Sequence, residues 1–537
     1  MEHPLKPTHS GSQAEPENNC WEAKPPNPSN EAYSLSGGRI SSARTTKARR
    51  SRRKKEAIDN LLVGREYTQT STLLTFLKKR ADEDWLIGYD SRKLAAIAEE
   101  FYLKLSQQNP YSTPPKIILA ERDPAKFIAG FIAAVAAGCP LFLCNRDWVQ
   151  AEWQQVFELV QPDIILGEAI AYQPPDYPNI QNPLAQRRVA LSKIQNRIMI
   201  PTGGSSGKIR FAIHTWETLM ASVQGFTQYF QTSTVNSFCV LPLYHVSGLM
   251  QFLRSFTTGG RLVILPFKAV ENDKQSEINP ADYFISLVPT QLQRLLHHDP
   301  TWLSHFQTVL LGGAPSWKEL LETARHHRIR LAPTYGMTET ASQIVTLKPD
   351  DFLKGTNNCG QVLPHATVTI RSHDGEILAP GKIGTIHIKA NSLALGYYPN
   401  SSLTKESGNR KVFQPDDLGF FDDRGYLNII GRNSNKIITG GENVFPSEVE
   451  AAIQSTNLVS DVCVIGLPDR HWGQAVTAIY VPKHSQVSTE ILQTEIQHKL
   501  SKFKRPKNWY SVEHLPRNSQ GKINHLELLQ IATLQPT

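Results

Sequence analysis

The stretch from residue 198 to residue 217 reads IMIPTGGSSGKIRFAIHTWE. A short apolar strand leads into a loop made of Thr202, Gly203, Gly204, Ser205, Ser206, Gly207 and Lys208, and a second apolar stretch, Ile209–His214, follows it. The glycines let the backbone bend sharply and bring N–H groups close to an anion, while the hydroxyls and the lysine add donors and positive charge. Such a loop is suited to phosphate oxygens, although taken alone it is equally typical of a flexible polar surface loop. Its spacing is not that of the P-loop.

Three further segments follow in a fixed order. Residues 333–340 read PTYGMTET, residues 416–419 read DDLG and lead to Gly425-Tyr426-Leu427 and Gly431-Arg432, and residues 518–522 read NSQGK. Together with the first loop, this set resembles the acyl-adenylate-forming superfamily, which includes acyl- and aryl-CoA ligases, luciferases and peptide-synthetase adenylation domains. The resemblance extends from about residue 60 to the C-terminus.

The resemblance implies two half-reactions, in which a carboxylate first attacks the α-phosphate of ATP and the acyl group then passes to a thiol. It therefore implies ATP, Mg²⁺ and coenzyme A as ligands. Chemistry of this kind depends on positioning and charge neutralisation more than on a protein nucleophile. The residues that the resemblance places at the nucleotide are Thr202–Lys208 on the β- and γ-phosphates, Thr338 on the α-phosphate, Glu339 on Mg²⁺, Gly313, Gly336 and Met337 beside the nucleotide, and Tyr335 near adenine.

Five further positions carry implied roles. Asp417 corresponds to the carboxylate that holds the ribose hydroxyls, with Asp416 as its rival, and Arg432 reaches the ribose or phosphate. Lys522 corresponds to the lysine required for adenylation, and Gly440 and Gly441 line the pantetheine tunnel. In isolation, a lysine after Asn-Ser-Gln-Gly is also typical of a solvated turn.

The chain departs from the superfamily pattern at three places. Ile209-Arg210 replaces Pro-Lys after the loop, which keeps the positive charge; Pro415-Asp416 replaces Thr-Gly before Asp417; and Ser434-Asn435 replaces an acidic hinge. A hinge requires torsional freedom rather than charge, so we expect the domain movement to survive.

Composition and patterning divide the chain into domains. Residues 1–57 are rich in Pro, Ser, Asn and charge, and the run SARTTKARRSRRKK at 42–55 carries most of the formal net charge of +8, so we expect a disordered basic tail. Alternating strands and helices from about 60 to 350 indicate layered α/β structure, including a helix opened by Ser316 with Glu319 as a capping box. Period-two alternation at about 360–430 indicates a β subdomain.

The predicted fold class is α/β: a large layered α/β N-terminal domain (58–431) with this β subdomain, and a small mobile α+β C-terminal domain (432–537). The uncharged stretch Phe127–Cys144 predicts a buried helix, Phe127–Gly138, and a short strand rather than a membrane span, because its alanines and glycines are weakly apolar and Pro140 interrupts it. The six cysteines show no metal-ligand spacing, and most lie in apolar runs, which suggests a reducing, cytoplasmic setting.

Two further motifs concern the acid. LPLYHVSG at 241–248 and VPTQL at 288–292 resemble the 2-succinylbenzoate–CoA ligases of menaquinone and phylloquinone synthesis. Such an acid needs flat apolar walls and a cationic or hydroxylic contact for its spectator carboxylate. Arg254 is the best available cation, with a charge on the surface of a helix as the alternative. His245, Ser247 and Thr290 complete the expected substrate site.

Alternative functions remain open at this stage. One is the same chemistry on another aryl or acyl acid, and another is a carrier-protein-loading adenylation enzyme or a catalytically inactive binding protein. Intact Glu339, Asp417 and Lys522 argue against an inactive site. We expect small-molecule substrates, no nucleic acid and no transmembrane segment, and a homodimer is possible. The least favoured alternative is a nucleic-acid role for the basic tail.

Overall fold

The computed structural model describes residues 69–107, 114–168, 194–203, 209–272, 278–399, 401–402, 405–407, 410–439, 442–517 and 523–534. The predicted basic tail, the loop residues 204–208, Gly440, Gly441 and Lys522 lie outside the described residues.

The helices of the described residues are α1 (Gln69–Lys79), α2 (Ser91–Gln107), α3 (Pro124–Ala136), α4 (Gln150–Val160), α5 (Trp216–Phe230), α6 (Val246–Thr258), α7 (Phe267–Glu271), α8 (Pro289–His298), α9 (Pro300–Ser304), α10 (Lys318–His326), α11 (Pro349–Leu353), α12 (Pro446–Gln454), α13 (Thr489–Ile496) and α14 (His525–Leu534), with single 3₁₀ turns at Pro280–Asp282, Thr338–Thr340 and Lys502–Lys504.

The strands are β1 (Ile117–Ala120), β2 (Leu141–Leu143), β3 (Ile164–Gly167), β4 (Ile198–Gly203), β5 (Ile209–His214), β6 (Asn236–Cys239), β7 (Leu262–Ile264), β8 (Tyr283–Leu287), β9 (Thr308–Leu311), β10 (Leu331–Met337), β11 (Ser342–Thr346), β12 (Gln361–Val362), β13 (Ala366–Arg371), β14 (Gly384–Ala390), β15 (Gly396–Tyr398), β16 (Ser401–Ser402), β17 (Lys405–Ser407), β18 (Arg410–Val412), β19 (Asp417–Phe421), β20 (Leu427–Arg432), β21 (Ile437–Thr439), β22 (Glu442–Val444), β23 (Val459–Asp469), β24 (Gly473–Pro482) and β25 (Asn508–Ser511).

Two seven-stranded sheets form the large α/β part, in the orders β16-β15-β5-β4-β2-β1-β3 and β12-β11-β10-β9-β8-β6-β7. In both, the inner strands run parallel and one edge turns antiparallel, at β4–β5–β15–β16 in the first sheet and at β10–β11–β12 in the second. The parallel strands are almost wholly apolar because helices cover both faces of such a sheet. This arrangement confirms the layered α/β fold class.

Helix α3 shows how the sequence builds the core. Asp123 caps it by accepting a hydrogen bond from the backbone N–H of Lys126, and every residue from Phe127 to Ala136 is buried. A helix that is apolar on all sides belongs inside a protein, and α3 packs between α1, α2 and strand β1. The predicted start was three residues late and the predicted end two residues late, since the proline at the first turn already belongs to the helix.

One local prediction is wrong. The expected capping box at Ser316 and Glu319 is absent, because Trp317 is the N-cap of α10 and no side chain caps this helix start. The carboxylate oxygen Oε2 of Glu319 is instead buried without a hydrogen-bond partner among the described residues.

Downstream, the sheets become antiparallel. A four-stranded sheet, β13-β14-β19-β20, spans the region of period-two alternation. It is followed by the sheet β22-β21-β24-β23 with β25 beside β24, which packs against α12 and α13 around its own apolar core. The domain boundaries at 57 and 431 stay predictions.

No helix within the described ranges combines the length and the apolar character that crossing a bilayer requires. All cysteines of the described residues are free thiols, and only Cys359 among them is not fully buried. Burial raises the pKa of Cys139 and Cys239 to about 12.

Candidate active site

A sharp reversal of the chain places Glu339. Strand β10 ends at Met337, the turn Thr338–Thr340 follows, and Ala341 adopts the left-handed conformation (φ 51°) before β11 returns antiparallel to β10. At this turn the Glu339 side chain is buried, and the Tyr397 hydroxyl donates a hydrogen bond of 2.5 Å to its Oε1. The other carboxylate oxygen accepts no hydrogen bond from a described residue, which suits a ligand of a hard cation such as Mg²⁺.

The imidazole of His214 contacts this turn and supports it. Its Nε2 lies 2.8 Å from the carbonyl oxygen of Thr338, and its Nδ1 lies 3.0 Å from the Thr218 hydroxyl. Burial lowers the pKa of His214 to about 4, although the bond to Thr338 opposes the shift. The imidazole is therefore neutral at physiological pH and serves as a fixed hydrogen-bonding support for the turn.

The glycine-rich loop begins and ends beside Glu339. Thr202 and Gly203, the described residues at its start, pair with Arg210 and Ile209 in the antiparallel β4–β5 ladder. The Arg210 guanidinium lies 4.7 Å from the centre of the Tyr397 ring, and Tyr397 in turn holds Glu339. Arg210, which follows the loop, is therefore connected through one tyrosine to the carboxylate predicted to bind Mg²⁺.

A second carboxylate, the partly buried Asp417, opens strand β19. The Tyr335 hydroxyl donates to its Oδ2 at 2.6 Å, and the Nε of Arg432 lies 3.6 Å from its Oδ1. Burial raises the pKa of Asp417, whereas Tyr335 and Arg432 act in the opposite direction. The Tyr335 hydroxyl engages the carboxylate that the resemblance assigns to ribose, and the stacking of its ring near adenine stays a prediction.

The rival carboxylate, Asp416, has a different position. It is exposed, and its Oδ2 accepts the backbone N–H of Ser434 at 3.0 Å while its carbonyl oxygen accepts that of Asn433 at 2.7 Å. Asp416 therefore holds the segment that links the two parts of the enzyme. This geometry favours Asp417 for the nucleotide.

Two glycines show why the backbone can approach a ligand here. At Gly336 a Cβ atom would lie 2.2 Å from the carbonyl oxygen of Ser342, so a side chain would separate β10 from β11. Gly313 follows β9, is exposed, and has φ +84°, a conformation that L residues rarely adopt. Both lie at the carboxyl ends of neighbouring strands, where ligands bind in open α/β sheets.

The expected acid site spreads over two helix starts. His245 is the N-cap of α6, and both it and Ser247 are partly buried, whereas Thr290 is exposed in the first turn of α8. The three residues belong to two different helix starts, and their shared role in the acid site stays a prediction.

Arg254 differs from the surface charge that the sequence left as an alternative. Only 2% of its surface is exposed, and its guanidinium lies 4.2 Å from the centre of the Phe226 ring. Its Nη2 donates to Ser342 Oγ at 3.2 Å and to Gln343 Oε1 at 3.0 Å. Burial lowers the pKa of Arg254 to about 9. The alternative of a solvated helix charge is wrong.

Sequence reasoning missed the residues that support the motifs. Tyr397 and His214 hold Glu339 and its turn, and Gln343 holds Arg254. A signal existed for Tyr397, since Gly396-Tyr397-Tyr398-Pro399 is a glycine, an aromatic pair and a proline in a stretch otherwise read only as a β region. Gln343 gave no signal beyond its position four residues after Glu339.

Comparison with known proteins agrees with this site. The sequence model of the AMP-binding enzyme family matches residues 115–398, and that of the AMP-binding enzyme C-terminal domain matches residues 448–522. The chain belongs to the family of AMP-binding enzymes.

Within that family, its relatives point to one kind of ligase. A 2-succinylbenzoate–CoA ligase of Listeria monocytogenes is 32% identical over 421 residues, which cover 76% of this chain and 87% of the relative. One of Bacillus cytotoxicus is 31% identical over 380 residues, 70% of this chain and 77% of the relative. The o-succinylbenzoate CoA synthetase (MenE) of Bacillus subtilis, solved with the acyl-adenylate intermediate OSB-AMP, superposes with a TM-score of 0.73 at 26% identity, over 84% of this chain and 97% of that one.

Proposed function

We propose that this chain is an AMP-forming acid–thiol ligase that activates 2-succinylbenzoate with ATP and transfers it to coenzyme A. The products are 2-succinylbenzoyl-CoA, AMP and pyrophosphate, which places the reaction in menaquinone or phylloquinone synthesis. The observation that carries the proposal is the similarity to 2-succinylbenzoate–CoA ligases over most of their length. The buried Glu339 and the partly buried Asp417, each of which accepts a hydrogen bond from a tyrosine, support it from the structure.

In the first half-reaction, a carboxylate oxygen of the acid attacks the α-phosphorus of ATP. A new O–P bond forms and the bond to pyrophosphate breaks. Residues Thr202–Lys208 hold the leaving phosphates, Thr338 holds the α-phosphate and Asp417 holds the ribose. Glu339 has one carboxylate oxygen fixed by Tyr397 and one available for Mg²⁺, which neutralises phosphate charge when bound. Lys522 contributes positive charge to this step.

In the second half-reaction, the sulfur of coenzyme A attacks the acyl carbonyl carbon and AMP leaves. We propose that Gly440 and Gly441 line the tunnel that delivers the thiol. The C-terminal part contacts β20 through Ser447 of α12, whose hydroxyl donates to the carbonyl oxygen of Ile430. Rotation about residues 432–435 exchanges Lys522 for the two glycines between the half-reactions.

A pyrophosphate-release screen over aromatic and fatty acids tests the proposal. We expect the largest kcat/KM for 2-succinylbenzoate and formation of its CoA thioester. A clear preference for another aryl or fatty acid would leave the chain an acyl-CoA ligase with a different substrate. Transfer to a carrier protein but not to coenzyme A would favour a carrier-protein-loading enzyme.

A cytoplasmic location and association into a homodimer are further proposals. The proposed location rests on the free cysteines. The homodimer is the oligomeric state that the sequence analysis left open. Cell fractionation and sedimentation velocity test them separately, and neither result alters the proposed chemistry.

A further inference from the structure

Asp416 contacts the link between the two parts of the chain, residues 432–435. The Oδ2 of Asp416 accepts the backbone N–H of Ser434 at 3.0 Å, and its carbonyl oxygen accepts the backbone N–H of Asn433 at 2.7 Å. Only the first of these hydrogen bonds depends on the side chain. The carboxylate of Asp416 therefore helps to fix the direction in which the link leaves strand β20.

The same carboxylate is electrostatically unfavourable for the next residue. Burial raises the pKa of Asp417, which the proposed function places on ribose, and the negative charge of Asp416 adds to this rise. A neutral side chain would avoid the repulsion between the two carboxylates. The link itself carries no acid, since it reads Arg-Asn-Ser-Asn. The hydrogen bond to Ser434 is thus the interaction, among the described residues, that favours an acid at position 416.

Two adjacent carboxylates therefore connect the link to the nucleotide side. Asp417 accepts a hydrogen bond from Tyr335 and pairs with Arg432, the first residue of the link, in the β19–β20 ladder. Asp416 binds the two residues that follow Arg432. The position of the link is coupled in this way to the carboxylate assigned to ribose.

A second hydrogen bond spans the link. Ser447, in the first turn of α12, donates from its hydroxyl to the carbonyl oxygen of Ile430 at 3.1 Å. A Cβ atom at Gly431 would lie 3.3 Å from the same hydroxyl oxygen and 3.4 Å from Cδ1 of Phe445, so the start of α12 lies close to the end of β20. Because these groups lie on opposite sides of the link, a large rotation about it breaks their contact.

The contacts of helix α14 indicate which half-reaction this orientation serves. His525 is the first residue of α14 and follows Lys522 by three positions. Burial lowers the pKa of His525, and the positive charge of Arg432 adds to this effect, which places the imidazole near Arg432. Arg432 in turn lies beside Asp417. The helix that follows Lys522 in the chain is therefore on the nucleotide side, where adenylation requires that lysine.

We propose that Asp416 is a positioning residue for the domain rotation: it holds the link in the orientation of adenylation, and its hydrogen bond to Ser434 must open before thioester formation. The proposal rests on the proposed function, because it concerns the step that separates the two half-reactions. Asp416 acts through the link and not on the substrates. Removing its carboxylate should therefore accelerate the second half-reaction relative to the first.

Single-turnover kinetics of Asp416→Ala test this role. Pyrophosphate release gives the rate constant of adenylate formation, and addition of coenzyme A to the preformed enzyme–adenylate complex gives that of thioester formation. We expect the ratio of the second rate constant to the first to rise about three- to tenfold, the effect of losing one exposed hydrogen bond to a charged group. An unchanged or lower ratio would overturn the proposal.

A conservative variant and a control separate the hydrogen bond from the charge. Asp416→Asn keeps an acceptor oxygen, so its ratio should lie within about twofold of wild type. If it behaves like Asp416→Ala, the charge beside Asp417 is responsible and the proposal is wrong. The matched control is Asp90→Ala, because the exposed Asp90 also accepts backbone N–H groups, those of Arg92 and Lys93, but lies at the start of α2. It should leave the ratio unchanged.

Hydrogen exchange resolved to single amides tests the contact without any substrate. Asp416→Ala should accelerate exchange at the amide of Ser434 by about three- to tenfold. The amide of Asn433, which bonds to the backbone of Asp416, should stay within about twofold of wild type and serves as an internal control. Equal exchange at Ser434 in the two proteins would show that the carboxylate does not hold the link.

Failure of the proposed function is recognised separately. If wild type forms no adenylate from 2-succinylbenzoate, the substrate assignment is wrong, and the two rate constants are measured with the acid that pyrophosphate release identifies. The hydrogen-exchange measurement needs no acid. Faster exchange at Ser434 without a change in the ratio would make Asp416 a structural residue of the link, and the proposal would be overturned.

Discussion

The nucleotide side and the acid side of this site solve the burial of polar groups in opposite ways. On the nucleotide side, the buried Glu339 accepts a hydrogen bond from Tyr397, and the partly buried Asp417 accepts one from Tyr335. On the acid side, Arg254, Gln343 and His365 carry buried nitrogens that have no hydrogen-bond partner among the residues that the structure describes. The difference shows that hydrogen bonds within the chain already orient the carboxylates of the first region, whereas several buried nitrogens of the second have no described partner.

This contrast fits the ligands expected on each side. ATP, Mg²⁺ and ribose approach from solvent and need carboxylates held in one orientation, which a tyrosine hydroxyl provides at low entropic cost. A spectator carboxylate must be stripped of water, so its donors have to be buried and free in advance. The following substitutions test each side, in order of expected effect.

Glu339→Gln should have the largest effect. The amide still accepts a hydrogen bond from Tyr397, so folding is retained, but the negative charge toward Mg²⁺ is lost. We expect kcat for pyrophosphate release to fall by a factor of about 100 or more, corresponding to about 3 kcal/mol. Glu376→Gln, on an exposed turn, is the control. Titration with Mg²⁺ should restore part of the rate; an unchanged rate at ordinary Mg²⁺ would move the metal role to other groups.

Arg254→Ala should have the second largest effect on the reaction. Removing the guanidinium deletes the cation of the acid side and frees Gln343 to rotate, so KM for 2-succinylbenzoate should rise by about 10- to 100-fold, equivalent to about 1.5–3 kcal/mol. KM for ATP should change little. Steady-state kinetics with each substrate varied in turn would decide this. Equal rises in both KM values would show that Arg254 supports the whole site rather than the acid side.

Tyr397→Phe should have a smaller effect on the nucleotide side. Glu339 loses one hydrogen bond while the ring and its contact with Arg210 remain. We expect about a tenfold lower kcat, equivalent to about 1.4 kcal/mol, and a higher Mg²⁺ concentration for half-maximal rate. Tyr398→Phe, at the neighbouring ring that packs on Phe142, should leave the Mg²⁺ dependence unaltered. An identical Mg²⁺ curve for Tyr397→Phe would mean that the tyrosine does not orient the carboxylate.

The last prediction concerns stability in acid, through His214, rather than the rate of the reaction. Burial lowers its pKa to about 4, whereas the same ring in the unfolded chain titrates near 6.5. Between these values only the unfolded state takes up the proton, so this residue makes the free energy of unfolding fall as the pH falls, by up to about 3 kcal/mol at pH 4.

Urea unfolding of wild type and of His214→Gln at several pH values isolates this contribution. As the pH drops from about 6.5 to about 4, the free energy of unfolding of wild type should fall more than that of His214→Gln. If the free energies of unfolding of the two proteins changed in parallel with pH, His214 would have the same pKa in the folded and unfolded states. The interpretation of His214 as a neutral side chain that supports Thr338 would then be wrong.

The superfamily motifs anticipated the nucleotide side better than the acid side. Glu339 and Asp417 were predicted because their local patterns are distinctive, whereas the tyrosine that bonds to each of them was found only in the structure. Arg254 was predicted without its burial, since neighbouring residues on α6 do not reveal what covers the helix. Gln343 was not predicted at all, because its contact with Arg254 joins two elements that lie far apart in the chain.

The amino-acid sequence by itself determined the order of the motifs, the alternation of strands and helices, and the identities of the charged groups, since these follow from local composition and periodicity. Only the tertiary structure decided which groups meet. Tyr335 and Asp417 are 82 positions apart, and Arg254 and Gln343 are 89 apart. Such pairs depend on the register between strands and on how helices cover the sheets. Local sequence carries no record of these distances, because they arise from packing the whole core at once.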